Sequence, residues 1–167
     1  IIDYKTGHAD EKIKDKNFYT GRNMQLYLYM NAFARGDNKP AGAYYYALDD
    51  NFVSADKSKV SMYGKTLKSE AIVKATDKNF YENGKSAVIG GTVKSGGKLN
   101  GTAFADEKTL RSYMRYAEIL AEKAVDDVCD GVIAPSPYDG TCEYCEFGAS
   151  CRYDFDADRK PREVSDR

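Results

Sequence analysis

Ile1-Ile2-Asp3-Tyr4-Lys5-Thr6-Gly7 opens the chain. Two β-branched residues lead into an acid-x-lysine pair, and Gly7 allows a turn, so the stretch reads as a short strand ending at an edge. Side chains alternate along a strand, which puts Asp3 and Lys5 on one face and Ile2 and Tyr4 on the other. A carboxylate beside an ammonium suits metal-assisted hydrolysis. The carboxylate holds a hard divalent cation, and the lysine positions or deprotonates a water next to it. The same two residues also make an ordinary ion pair on an edge strand. Alone, the pair does not choose between the two.

The next segment adds weight. Residues 17–34, Asn-Phe-Tyr-Thr-Gly-Arg-Asn-Met-Gln-Leu-Tyr-Leu-Tyr-Met-Asn-Ala-Phe-Ala, are largely apolar and read as one buried helix. Gln25 and Tyr29, four apart, share a face of it. A buried glutamine needs hydrogen-bond partners, and a polar site at the end of the first strand would supply them. Gly36-Asp37-Asn38-Lys39-Pro40 is turn chemistry, and residues 43–48, Ala-Tyr-Tyr-Tyr-Ala-Leu, read as a buried strand. Strand, crossover helix and strand make a βαβ unit with two parallel, neighbouring strands and a right-handed crossover.

Composition sets the bounds. A chain of 167 residues that is 42% hydrophobic can bury the core of one domain. With 25 basic and 26 acidic residues the formal charge is −1, so any DNA contact requires a local basic groove. Lys12, Lys14, Lys16 and Arg22 could line such a groove, and they suit a solvated loop equally well, as does His8. No transmembrane stretch or signal peptide is visible, so the expected setting is cytoplasmic, with no membrane. The chain begins inside a strand without a methionine, which reads as a fragment whose upstream part lies elsewhere.

The middle is quieter. Residues 49–68 are polar and read as loop, and residues 69–75 as a short helix. Residues 86–93 and 98–102 flank Ser95-Gly96-Gly97 as a hairpin. Gly90, Gly91, Gly96 and Gly97 lack the spacing of a phosphate-binding loop, and there is no Walker lysine motif. From residue 106 to 128, Leu110, Tyr113, Met114, Ala117, Leu120, Ala121, Ala124, Val125 and Val128 recur at three- and four-residue intervals and predict a core helix. Asp106 and Glu107 suit its first turn and Gly131 its end.

The tail carries the second signal. Cys142-Glu143-Tyr144-Cys145 is followed by Cys151, and three cysteines this close in a cytosolic chain point to a metal or cluster rather than disulfides. Spacing alone does not separate zinc from iron–sulfur, since both take four thiolates. Cys129 adjoins the apolar stripe and reads as an ordinary buried cysteine.

Taken together, Ile-Asp-Tyr-Lys-Thr-Gly, Gln-Leu-Tyr-Leu-Tyr and the final Cys-Glu-Tyr-Cys-Glu-Phe…Cys-Arg-Tyr-Asp resemble the PD-(D/E)XK nuclease superfamily. The likeness is to its RecB-like branch, and within it to the C-terminal nuclease domain of AddB-type helicase–nuclease subunits. The resemblance spans nearly the whole chain. It implies an α/β fold of the restriction-endonuclease type, a central mixed sheet flanked by helices over residues 1–134, with a cysteine-rich tail over 135–167. It implies a Mg²⁺- or Mn²⁺-dependent DNA exonuclease acting in double-strand break repair, beside an AddA-like helicase partner subunit. Asp3 would be a metal ligand together with the backbone carbonyl of Tyr4, Lys5 the catalytic lysine, and Gln25 and Tyr29 the helix motif. Cys142, Cys145 and Cys151 would be three ligands of a [4Fe-4S] cluster. That family's first metal-binding aspartate and fourth cluster cysteine both precede its Asp-Tyr-Lys strand. This chain taken alone is therefore expected to be inert. Two other readings stay open: a nuclease-fold module kept for DNA binding or scaffolding, and a zinc-binding interaction domain with Cys129 as fourth ligand.

Overall fold

The computed structural model of the chain describes residues 1–6, 14–48, 62–86, 88–143, 145–151 and 153. The expectations for Gly7, His8 and Lys12, and for the loop over 49–61, lie outside those residues. The described part divides into two compact units, residues 1–120 and 121–167, with the division inside one long helix.

The first unit is built on a four-stranded sheet in the order β1-β2-β3-β6. Strands β1 (Ile2–Lys5) and β2 (Gly42–Ala47) are parallel, in the register Asp3 opposite Tyr45 and Lys5 opposite Ala47. The expected βαβ unit is therefore present. Strand β3 (Met62–Leu67) runs antiparallel to β2, and β6 (Phe104–Ala105) pairs parallel with β3, so the sheet is mixed. β2 is buried on both faces because it is central, and its residues divide between two cores. Ala43 and Tyr45 pack with Phe18, Leu26, Tyr27 and Met30, and with Leu110, Met114 and Ala117. Tyr44 points the other way, among Met62, Val73, Phe80, Ile89 and Phe104. Helices α1 (Asp15–Tyr19), α2 (Gln25–Phe33) and α5 (Glu107–Cys129) thus cover one face, and α3 (Glu70–Thr76) and α4 (Phe80–Asn83) the other. A separate hairpin joins β4 (Thr92–Lys94) to β5 (Lys98–Asn100), shorter than its sequence suggests. In the second unit, α6 (Gly148–Cys151) is the last element.

Four expectations change. The apolar run 17–34 is two helices, because residues 20–24 form a turn: Gly21 takes φ +79°, and the Thr20 hydroxyl donates to the Asn17 carbonyl at 3.0 Å. Residues 62–67 are strand rather than loop. Gly64 and Lys65 interrupt the apolar pattern there, yet Gly64 is required. A Cβ on it would lie within bonding distance of the Ala43 carbonyl oxygen, so the glycine lets β3 close against β2. The stripe of α5 is a core only in its first half. Leu110, Met114 and Ala117 are buried, whereas Val125 and Val128 are exposed. Cys129, at the end of that exposed half, is itself exposed rather than buried.

The ends of α5 follow the sequence. Asp106 accepts the Thr109 amide at 2.7 Å, the geometry of an N-cap, and this bond holds its carboxyl below the usual range. Gly131, at φ +70°, donates to the Val128 carbonyl while Val132 donates to Asp127, which closes the helix with a left-handed turn.

This packing generates two predictions. Leu110→Ala, at a fully buried position, should cost about 2–5 kcal/mol of unfolding free energy, whereas exposed Val128→Ala should stay within about 0.5 kcal/mol. Urea denaturation of both variants checks this, and equal losses would contradict the division of the stripe. The tyrosines give a pH dependence. Burial raises the phenols of Tyr27, Tyr44 and Tyr113, and pushes that of Tyr45 up to about 12 with the Asp3 charge adding to it. Unfolded phenols ionise near 10, so this contribution is complete below pH 10 and is lost as pH rises toward 12. The urea midpoint should therefore fall as pH rises from about 10 to about 12, and Tyr45→Phe should flatten part of the fall.

Candidate active site

The site forms where β1 ends and α2 begins. Asp3 and Lys5 are half-buried and project to the face that α2 covers, while Ile2 and Tyr4 project to the other and stay exposed. The Tyr4 ring rests against Tyr46 with centroids 5.5 Å apart, so only its backbone carbonyl is available to the site. Lys5 Nζ lies 2.7 Å from Asp3 Oδ2 in an ion pair. It also donates a hydrogen bond to Gln25 Oε1 at 3.0 Å, and Gln25 Nε2 donates to the Tyr29 hydroxyl at 2.9 Å.

These contacts make one chain of polar groups, Asp3–Lys5–Gln25–Tyr29, across two elements twenty residues apart in sequence. Its direction is fixed by chemistry. An ammonium has only donors, so the glutamine must turn its carbonyl to Lys5 and is left with its NH₂ facing Tyr29. The tyrosine oxygen accepts and keeps its own O–H to give elsewhere. Gln25 and Tyr29 sit four apart on α2, as the sequence suggests, but the face they share is exposed rather than buried. The physical reason is that the helix starts at Gln25. Its first turn overhangs the strand end while Leu26, Tyr27 and Met30 go into the core.

Tyr45 also belongs to the neighbourhood. It is buried, stands opposite Asp3 in the parallel register, and presents its ring to Lys5 Nζ at 5.5 Å from the centroid. From sequence it reads as plain core. The signal that finds it is the βαβ register, which puts the middle of the Tyr44-Tyr45-Tyr46 run beside the acid.

The resemblance noted in the sequence implies a divalent cation, and the donor set can be tested against it. Asp3 Oδ2 is shielded from solvent, and among the described residues its polar contact is the ion pair with Lys5. A buried, incompletely satisfied carboxylate oxygen is the hard donor that Mg²⁺ or Mn²⁺ takes. Among the described residues no group of three or more His, Cys, Asp or Glu side chains is gathered. Asp3 is thus a candidate for one ligand of such a cation and does not by itself make a ligand set.

Other expected residues fall elsewhere. Lys14 and Arg22 are exposed, and the side chain of Lys16 is outside the described set. Cys142 is half-buried in a turn, Cys145 is exposed just after it, and Cys151 is exposed at the end of α6. Cys145 donates its amide to the Cys142 carbonyl, and Cys151 donates to Phe147. The three thiols are of the right kind for a soft metal or cluster, but they are not drawn into one ligand set.

Comparison with known proteins adds a family match. The family described as the PD-(D/E)XK nuclease superfamily matches residues 1–152. A protein of Thermoanaerobacter sp. strain X514, named as a subunit of an ATP-dependent helicase/deoxyribonuclease, is 28% identical over 92% of this chain and 15% of its own length. Proteins of the same name from Clostridium acetobutylicum and Staphylococcus haemolyticus are each 26% identical, over 99% and 96% of the chain and 16% and 17% of their own lengths. The chain therefore spans about one sixth of the curated relatives it matches. Its fold, its Asp3–Lys5 strand and the match over residues 1–152 carry one conclusion: the chain belongs to the PD-(D/E)XK nuclease superfamily.

Proposed function

We propose that the chain is the DNA-hydrolysing part of a helicase–nuclease subunit and cleaves phosphodiester bonds at Asp3 and Lys5. The observation that carries this reading is the continuous contact chain from Asp3 through Lys5 and Gln25 to Tyr29. An ion pair kept only for stability has no use for a glutamine and a tyrosine aligned on its lysine. A site that must hold a charge in place does.

In this reading Asp3 and the Tyr4 carbonyl hold Mg²⁺ or Mn²⁺. Such a cation would supply an activated water and offset charge on the phosphate. Lys5 sets its ammonium where negative charge grows on the phosphate oxygens and orients the attacking water. Gln25 fixes the azimuth of that ammonium by accepting one of its three protons. Tyr29 donates its O–H to a phosphate oxygen and keeps the strand in line. None of these groups has to move during the reaction, so the stabilisation is preorganised.

The remaining assignments belong to the same proposal. Residues 1–134 carry the nuclease part. The tail over 135–167 is a staple in which Cys142, Cys145 and Cys151 bind an iron–sulfur cluster with a donor from outside these residues; zinc is the alternative. The working assembly is cytoplasmic, binds DNA, includes an AddA-like helicase subunit, and acts in break repair. The name carried by the homologous proteins supports the DNA and helicase assignments.

In the complete gene product that carries this chain, Asp3→Ala and Lys5→Ala should each lower DNA cleavage by roughly a hundredfold or more with ATP hydrolysis unchanged. A gel assay with linear DNA and Mg²⁺ reads this. Tight DNA binding with no cleavage by the unmutated protein would move the reading to a binding or scaffold module. Among the described residues no set of metal-ligating side chains is gathered around Asp3, so the 167-residue chain alone should cleave little under the same conditions. For the tail, purification without oxygen should give a brown protein whose colour is lost in Cys142→Ser, Cys145→Ser or Cys151→Ser but not in Cys129→Ser. Stoichiometric zinc released by Cys129→Ser would replace the cluster with a zinc site.

A further inference from the structure

We infer that Tyr45 is a positioning residue: the face of its ring forms the floor on which the Lys5 ammonium rests. This inference rests on the nuclease reading of Lys5 and extends it to a residue on the neighbouring strand.

Lys5 is a flexible side chain with four rotatable bonds, and a short strand end does little to restrain it. Three contacts locate its nitrogen. The Asp3 carboxylate lies at 2.7 Å, Gln25 Oε1 at 3.0 Å, and the Tyr45 ring centroid at 5.5 Å. The first two lie among half-buried or exposed groups, and both are hydrogen-bonding partners that water or a phosphate can replace. The third is different in kind. Tyr45 is only 2% exposed and is locked among Ala43, Leu26 and Tyr27 in the core. Its backbone is pinned opposite Asp3 by parallel pairing. An aromatic face within about 6 Å attracts a cation through its quadrupole, and more strongly where water is excluded.

The chemistry of the ring suits the task. A tyrosine phenol ionises only at about pH 10 even when free, so the ring is neutral at physiological pH. A neutral ring attracts the ammonium without competing for its protons. Those protons remain for Asp3, Gln25 and the reacting phosphate. The floor therefore fixes the height of the ammonium above the sheet, while Gln25 fixes its direction. The hydroxyl is not needed for this, so Phe should substitute for Tyr and a non-aromatic residue should not.

The test uses the complete gene product with Tyr45 replaced by Phe, by 4-fluorophenylalanine and by 3,4,5-trifluorophenylalanine, which keep the ring's shape while draining its negative face. DNA cleavage with Mg²⁺ should be close to unmutated for Phe and fall stepwise along the series, to a loss in kcat of roughly tenfold. KM for DNA should change little. A purely structural role predicts no trend, because the rings pack alike. A second readout needs no activity. The ε-methylene signal of Lys5 in ¹³C-labelled protein, assigned by its absence in Lys5→Ala, should lie upfield from ring shielding and return downfield in Tyr45→Leu. A flat fluorine series in protein that cleaves DNA and loses cleavage in Lys5→Ala would overturn the floor and leave the nuclease reading intact. If the unmutated protein does not cleave DNA, the nuclease reading fails, and an unshifted Lys5 signal would overturn the floor as well.

Discussion

Parallel pairing of β1 with β2 is the constraint on which the rest depends. It puts Asp3 beside Tyr45 and Lys5 beside Ala47, and so sets both the chemistry of the strand end and the ring beneath it. The pairing is itself held from the far side. β3 closes on β2 only because Gly64 has no side chain to strike the Ala43 carbonyl. β2 then sits in the middle of the sheet with Tyr44 sealed in one core and Tyr45 in the other. Buried Tyr44 finds a partner in Thr66, 2.8 Å away, so the central strand carries its hydroxyl without an unsatisfied group. A slip of one residue in this register would turn Asp3 and Lys5 to the opposite face.

A second consequence concerns charge. The sequence is almost neutral, with a formal charge of −1. Lys5 is balanced by Asp3 within the same strand, and the surface of α5 pairs its own charges, as in Arg111 with Glu107 and Arg115 with Glu118. What distinguishes Lys5 is order rather than net charge. It is held from three directions by groups that are themselves fixed to a strand, a helix and a core.

Much of this was legible in the residues. Asp3 and Lys5 share a face because strands alternate, and Gln25 and Tyr29 share one because helices repeat near four. Local periodicity settles both. The parallel strand after the helix was legible for the same reason, since a βαβ unit admits one handed solution. The limits are equally physical. Nothing local says that α2 starts at Gln25, because Met24 has no side-chain capping bond, and so the exposure of the glutamine was invisible. β3 hid behind Gly64 and Lys65, whose reasons lie in other parts of the fold: the Ala43 carbonyl for one, Thr102 and Asp15 for the other. β6 is two residues long and exists only by pairing with β3. The stripe of α5 obeys helical period to Val128, but period does not say where a partner surface stops.

The central claim is that Asp3, Lys5, Gln25 and Tyr29 act as one unit rather than as neighbours. A double-mutant cycle on DNA cleavage, pairing Lys5→Ala with Gln25→Ala in the complete gene product, measures this directly. If Gln25 works by holding Lys5, its removal should cost little once the lysine is gone, and the two losses should fall short of additive by more than about 1 kcal/mol. Fully additive losses would mean that Gln25 acts independently of Lys5, and the contact chain would not be the functional unit.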